Sequence, residues 1–110
     1  MWHPDHFMHY ATKKRYTIDE LRSIVAPVAE RYGVSKVYLF GSVARGDYND
    51  NSDYDFYIEL DRTRDLIKFS GFFLDLHQAI GWDIDLLDSM SIDSEFLNVV
   101  RSEGVIVYEG

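Results

Sequence analysis

Asp53-Tyr54-Asp55 sets two carboxylates two residues apart, and Trp82-Asp83-Ile84-Asp85-Leu86 repeats that spacing further along the chain. In an extended strand, residues two apart project from one face, so each pair points its acids the same way. Paired carboxylates offering only oxygen suit Mg²⁺, which takes one or two protein carboxylates and keeps its other positions for water and substrate phosphate. By itself Asp-x-Asp describes a solvent-facing stripe equally well. Phe56 and Ile58, however, mark the first pair as part of a core-packed strand. A carboxylate from the second pair can ligate a metal and take the proton from an attacking hydroxyl. Periodicity leaves open whether Asp83 or Asp85 does so, and Asp88 reads as a turn or helix-entry residue.

Ten residues separate Asp53 from Gly41-Ser42, into which the apolar stretch Ser35–Phe40 runs. Glycine at a strand end lets the backbone turn sharply and lets a phosphate approach closely. A helix starting directly after adds free N–H groups and a positive end. Ser42 supplies a hydroxyl donor, and Arg45 a guanidinium that can bridge phosphate oxygens. An Asp-rich loop also invites a calcium reading. With Asp47 as the first position of an EF-hand, the glycine position falls on Ser52 and the terminal Glu position on Ile58, so that reading fails.

These residues need elements to hold them. Thr17-Ile18-Asp19-Glu20 is a capping box, followed by Leu21, Ile24, Val25, Val28 and Tyr32 at helical spacing, with Pro27 inside and Gly33 as the stop. Strands are expected over Ser35–Phe40, Asp53–Leu60, Trp82–Leu87 and Val105–Tyr108, and a short helix from Val43. Longer helices are expected from about Arg64 to Ile80, closed by Gly81, and from about Asp93 to Glu103, closed by Gly104. Helix and strand thus alternate, which predicts an α/β (α+β) fold: one small mixed sheet packed with helices. Residues 1–15 show no steady period and read as a loosely held arm before a single domain over 16–110. His3, His6 and His9 on that arm read as exposed histidines, not metal ligands.

Composition narrows the function. The chain has 110 residues, 46% hydrophobic and 15% aromatic, enough for one core. Its net charge of -8, from 19 acidic against 11 basic residues, opposes direct binding to a nucleic acid duplex. No cysteine is present, so thiolate metal sites and disulfides are excluded. No apolar run reaches membrane-span length and no signal peptide is evident, so no membrane association and a cytoplasmic location are expected.

Gly41-Ser42-Val43-Ala44-Arg45-Gly46 followed by Ser52-Asp53-Tyr54-Asp55 resembles the signature of the DNA polymerase β-like nucleotidyltransferase superfamily. With the blocks FGSVARGD, SDYDFYIEL, IDLLD and VVRSEGVIVYE in order, the chain is similar to the minimal nucleotidyltransferase (MNT) family from about Thr17 to Glu109. The resemblance implies two Mg²⁺ ions and transfer of a nucleoside monophosphate, usually from ATP, to a hydroxyl. It implies that Gly41 and Ser42 bind the triphosphate with support from Arg45. It further implies that Asp53 and Asp55 are metal ligands and that Asp85 is the third aspartate. MNT proteins of this size are commonly antitoxins paired with HEPN ribonuclease toxins, which they adenylylate on a tyrosine. A HEPN-type toxin is therefore the expected partner. The alternative is a binding module that neutralises such a partner by contact.

Overall fold

The structure is a computed structural model that describes residues 15–60 and 65–110. Thr17 opens helix α1 (Ile18–Tyr32): its hydroxyl accepts from the Glu20 N–H at 3.1 Å, while Glu20 Oε1 accepts from the Thr17 N–H at 2.8 Å. The helix continues through Pro27 and closes on Gly33 at φ 68. Strand β1 (Val34–Phe40) leads straight into the short helix α2 (Gly41–Arg45), and strand β2 (Tyr54–Leu60) follows an exposed loop. Helix α3 (Leu66–Ile80) is capped by Asp65, whose side chain accepts from the N–H groups of Ile67 and Lys68. Strand β3 (Ile84–Asp88), helix α4 (Ser94–Glu103) and strand β4 (Val105–Glu109) complete the order.

The four strands lie in the order β3-β2-β1-β4. Strand β1 is antiparallel to β2 and β4, whereas β2 and β3 are parallel, so the sheet is mixed. Parallel neighbours need a crossover, and α3 supplies it. The apolar faces of α1 and α3 cover one side of the sheet. Leu21, Val25, Phe72, Leu76 and Ile80 pack there against Val37, Leu39, Tyr54, Phe56 and Ile58, all with no exposed surface. The other side carries a smaller cluster in which Val100 of α4 meets Tyr38 and Tyr57.

The expected alternation of elements is present, with shifts at two edges that matter for the site. Strand β2 begins at Tyr54 and not Asp53, and β3 runs Ile84–Asp88 where Trp82–Leu87 was expected. Both shifts reflect how the parallel pair starts: the Tyr54 N–H donates to the Asp83 carbonyl at 3.0 Å, just before the ladder proper. Asp53 and Asp83 therefore stand at the strand entrances. No described helix is long and apolar enough to cross a membrane. The expected arm up to residue 14, with His3, His6 and His9, and Arg64 at the expected start of α3 lie outside the described residues.

Candidate active site

Strand alternation builds the site. In β2 the apolar Tyr54, Phe56 and Ile58 turn toward α1 and α3, which sends Asp55 and Tyr57 to the opposite face. In β3 Leu86 turns the same way as Phe56, so Asp85 shares the face of Asp55. The parallel register sets Asp55 directly beside Asp85. On the other flank, Asp55 pairs with Phe40, the last residue before Gly41. Asp55 thus stands between Asp85 and the Gly41-Ser42 turn.

Gly41 comes closest. It has φ 76, and a Cβ built there would overlap Asp55 Oδ2. Both the backbone conformation and the space admit only glycine, which lets the strand-to-helix turn press against the carboxylate. Phe40 occupies the N-cap position of α2 and makes no side-chain cap hydrogen bond. The α2 turn is closed on its other side, where the Ser42 carbonyl accepts from the Gly46 N–H at 3.0 Å and the Asp47 N–H at 3.1 Å. Arg45 pairs with Asp47 across 3.2 Å at the surface, steadying the loop that leads to Asp53.

The electrostatics single out Asp55. Burial pushes its carboxyl up to about 6, and the neighbouring charges of Asp85 and Asp53 push the same way, while Arg45 opposes them. Like charges gathered beside a partly buried carboxylate favour a bound cation. Among the described residues, no three histidine or acidic side chains are drawn close enough to hold a metal ion by themselves. The donor set of Asp53, Asp55 and Asp85 fits magnesium in kind, since it offers only carboxylate oxygens.

The remaining acids have other work. Asp83 faces His77 of α3, with Nε2 and Oδ1 3.6 Å apart. Asp88 is buried and turns the chain after β3: its Oδ1 accepts from the Met90 N–H at 3.1 Å and the Ser91 hydroxyl at 3.0 Å. Tyr54 lies wholly in the core. Sequence reasoning missed Arg15, the last residue of the expected arm, which is partly buried. Its guanidinium carbon sits 3.7 Å from the centroid of the Trp82 ring and 5.0 Å from that of Tyr54. Nothing in the spacing of residues announces that convergence.

With this geometry in view, the chain compares with known proteins as follows. A family model described as polymerase beta, nucleotidyltransferase matches residues 23–110. The protein adenylyltransferase MntA of Thermococcus cleftensis is 30% identical over 95 residues, a match covering 83% of this chain and 96% of that protein. A solved minimal nucleotidyltransferase superposes with a TM-score of 0.72 at 25% identity, covering 84% of this chain and 98% of the other. The structure of a tri-AMPylated HEPN toxin with its MNT antitoxin, from Shewanella oneidensis, gives a TM-score of 0.64 at 20% identity. It covers 86% of this chain and 74% of that one, a likeness of fold.

Proposed function

The chain belongs to the polymerase β nucleotidyltransferase family, and from that premise we propose that it transfers AMP from ATP to a hydroxyl on a HEPN-type toxin, a tyrosine hydroxyl, and so acts as its antitoxin. The observation that carries this reading is Asp55: a carboxylate beside Asp85 in register, pressed by Gly41, and pushed up to about 6 by burial and by neighbouring acids. In this proposal the Gly41-Ser42 turn and Arg45 bind the triphosphate, and Asp53 and Asp55 hold a Mg²⁺ ion against it. Together with Asp85 they would hold a second ion. Magnesium held there would supply neutralisation of the charge that develops on the transferred phosphoryl group and a lowered pKa for the acceptor hydroxyl. Asp85 takes the hydroxyl proton, the acceptor oxygen bonds to the α-phosphorus, and the bond to the bridging oxygen breaks to release pyrophosphate.

The net charge of -8 complements the basic surface expected of a ribonuclease. The named activity of the Thermococcus cleftensis relative supports AMP as the group moved. The test is transfer of labelled AMP to a HEPN-type toxin. Mg²⁺-dependent labelling is expected, and it should vanish in the Asp53→Ala, Asp55→Ala double variant at unchanged fold. Persistent labelling in that variant sinks the site assignment.

A second reading, neutralisation by contact alone, draws on the exposed apolar residues of α3: Ile67 keeps 85% of its surface exposed and Leu74 63%. A partner protein that covered these side chains would remove their apolar surface from water. The double variant separates the two readings, because full neutralisation by a chain that cannot transfer AMP supports contact alone.

A further inference from the structure

Arg15 lies outside the sequence signature, yet it touches the loop that leads into β2 and the indole that precedes β3. Its Nη2 donates to the carbonyls of Asn49, at 3.1 Å, and of Ser52. Its guanidinium also stacks over the ring of Trp82, with Tyr54 and Tyr48 at 5.0 and 5.4 Å. Ser52 immediately precedes Asp53, and Trp82 stands three residues ahead of Asp85. The loop so gripped is ordered from within as well. The Asn49 N–H donates to Ser52 Oγ at 3.0 Å, and the Asn51 N–H to Asn49 Oδ1 at 2.8 Å. The next residue extends the grip, since the Tyr16 N–H donates to the Tyr54 hydroxyl at 3.0 Å and the Tyr16 hydroxyl to the Ile80 carbonyl at 2.8 Å.

We propose that Arg15 is a positioning residue for the metal site: by pinning the loop before Asp53 to the indole before β3, it fixes the spacing between Asp53 and the Asp55–Asp85 pair. The planar guanidinium is what makes this work. Its Nη2 donates to two carbonyls while the planar guanidinium sits over an indole, and a compact ammonium on a flexible stem cannot stack in that way as it bonds the same carbonyls. A carboxylate at a loop end is free to swing toward solvent unless the loop is held. Groups that orient a metal's ligands without touching the metal commonly change its affinity about 10–100-fold when removed. The inference rests on the reading of Asp53, Asp55 and Asp85 as metal ligands.

The experiment compares the full chain with Arg15→Lys and, as a milder disturbance, Trp82→Phe. Mn²⁺ binding is measured by electron paramagnetic resonance in the presence of a nonhydrolysable ATP analogue, and amide hydrogen exchange is followed over residues 47–53. Arg15→Lys should weaken Mn²⁺ binding by about tenfold and speed exchange in the loop. Trp82→Phe should act in the same direction and less. AMP transfer at saturating ATP should need correspondingly more Mg²⁺, with KM for ATP at saturating metal little changed, because the Gly41-Ser42 turn is untouched. Wild-type Mn²⁺ affinity and loop exchange in both folded variants would overturn the role of Arg15 and leave the site reading standing. Failure of the unaltered chain to bind Mn²⁺ with the nucleotide overturns both.

Discussion

The two sides of β2 obey opposite rules. On one side Tyr54, Phe56 and Ile58 have no exposed surface and are packed by α1 and α3. On the other, Tyr57 meets Tyr38 and Val100 toward the far end, whereas Asp55 faces two further acids at the entrance. The first side lowers the free energy of the fold by removing apolar area from water. The second raises it by crowding like charges. A strand seven residues long can carry both because its faces alternate. The surplus of packing on one face lets the other hold an arrangement that favours ligand over stability.

The largest expected effect tests the acidic side. If Asp55 ligates the metal as proposed, Asp55→Asn should lower AMP transfer by about a thousandfold. Stability should stay level or rise, because one of the crowded charges is gone. A thermal melt beside a transfer assay decides: a fall in Tm as large as that of a core mutation would erase the distinction between the faces.

Next in size, the packed side is tested by Phe56→Ala. It should cost about 3–5 kcal/mol of folding free energy, a large part of what a small domain has. Phe56→Leu should cost less, and in urea titrations its folded fraction should keep near-normal transfer activity. An inactive yet stably folded Phe56→Leu chain would mean that the two faces are not independent.

Much of this division is legible in the sequence. The alternation Tyr54-Asp55-Phe56-Tyr57-Ile58 announces a strand with one apolar face, and the capping box at Thr17 with the glycine stop at Gly33 announces α1. The choice of Asp85 over Asp83 came from family resemblance alone, because both acids sit at the same period. The register that sets Asp55 beside Asp85 is a tertiary fact. The strand ends were misjudged for a similar reason. Trp82 has the side chain of a strand residue, yet it serves as a platform for Arg15, whose partners are scattered across Tyr48, Asn49, Ser52 and Tyr54. Spacing rules see neighbours along the chain, and such a convergence has none.

Two glycines sharpen the comparison further. Gly41 and Gly81 both have positive φ, 76 and 72, but only at Gly41 would a Cβ meet another residue. Gly81→Ala should therefore cost only the left-handed backbone, about 1–2 kcal/mol, with transfer retained. Gly41→Ala should cost at least as much and also displace the Asp55 carboxylate. A further loss of about tenfold in ATP affinity or transfer is expected from one disturbed charged contact. Chemical melts and nucleotide titrations of the pair check it, and equal behaviour of the two variants would show that the Gly41 contact does nothing for the site.

The smallest effect is in pH. Asp55 titrates near 6 in the folded chain against an ordinary value of 3.8, because burial, Asp85 and Asp53 all disfavour its charge. A raised folded value means the native chain binds more protons than the unfolded one between about pH 4 and 6. Stability from this group is thus fully present below its unfolded value and is lost as pH rises through 6. Other carboxylates work against this trend. Asp75, held down by Tyr32 and Arg31, contributes stability that is lost on acidification. The clean quantity is the difference in Tm between Asp55→Asn and the unaltered chain, in which Asp75 cancels. That difference should favour Asn at pH 7 and shrink toward pH 5, where Asp55 itself carries a proton. Mg²⁺ with a nonhydrolysable ATP analogue should reverse it at pH 7, because a cation among the acids rewards the charge that Asn lacks. A difference that ignores both pH and metal would mean that Asp55 is an ordinary surface acid.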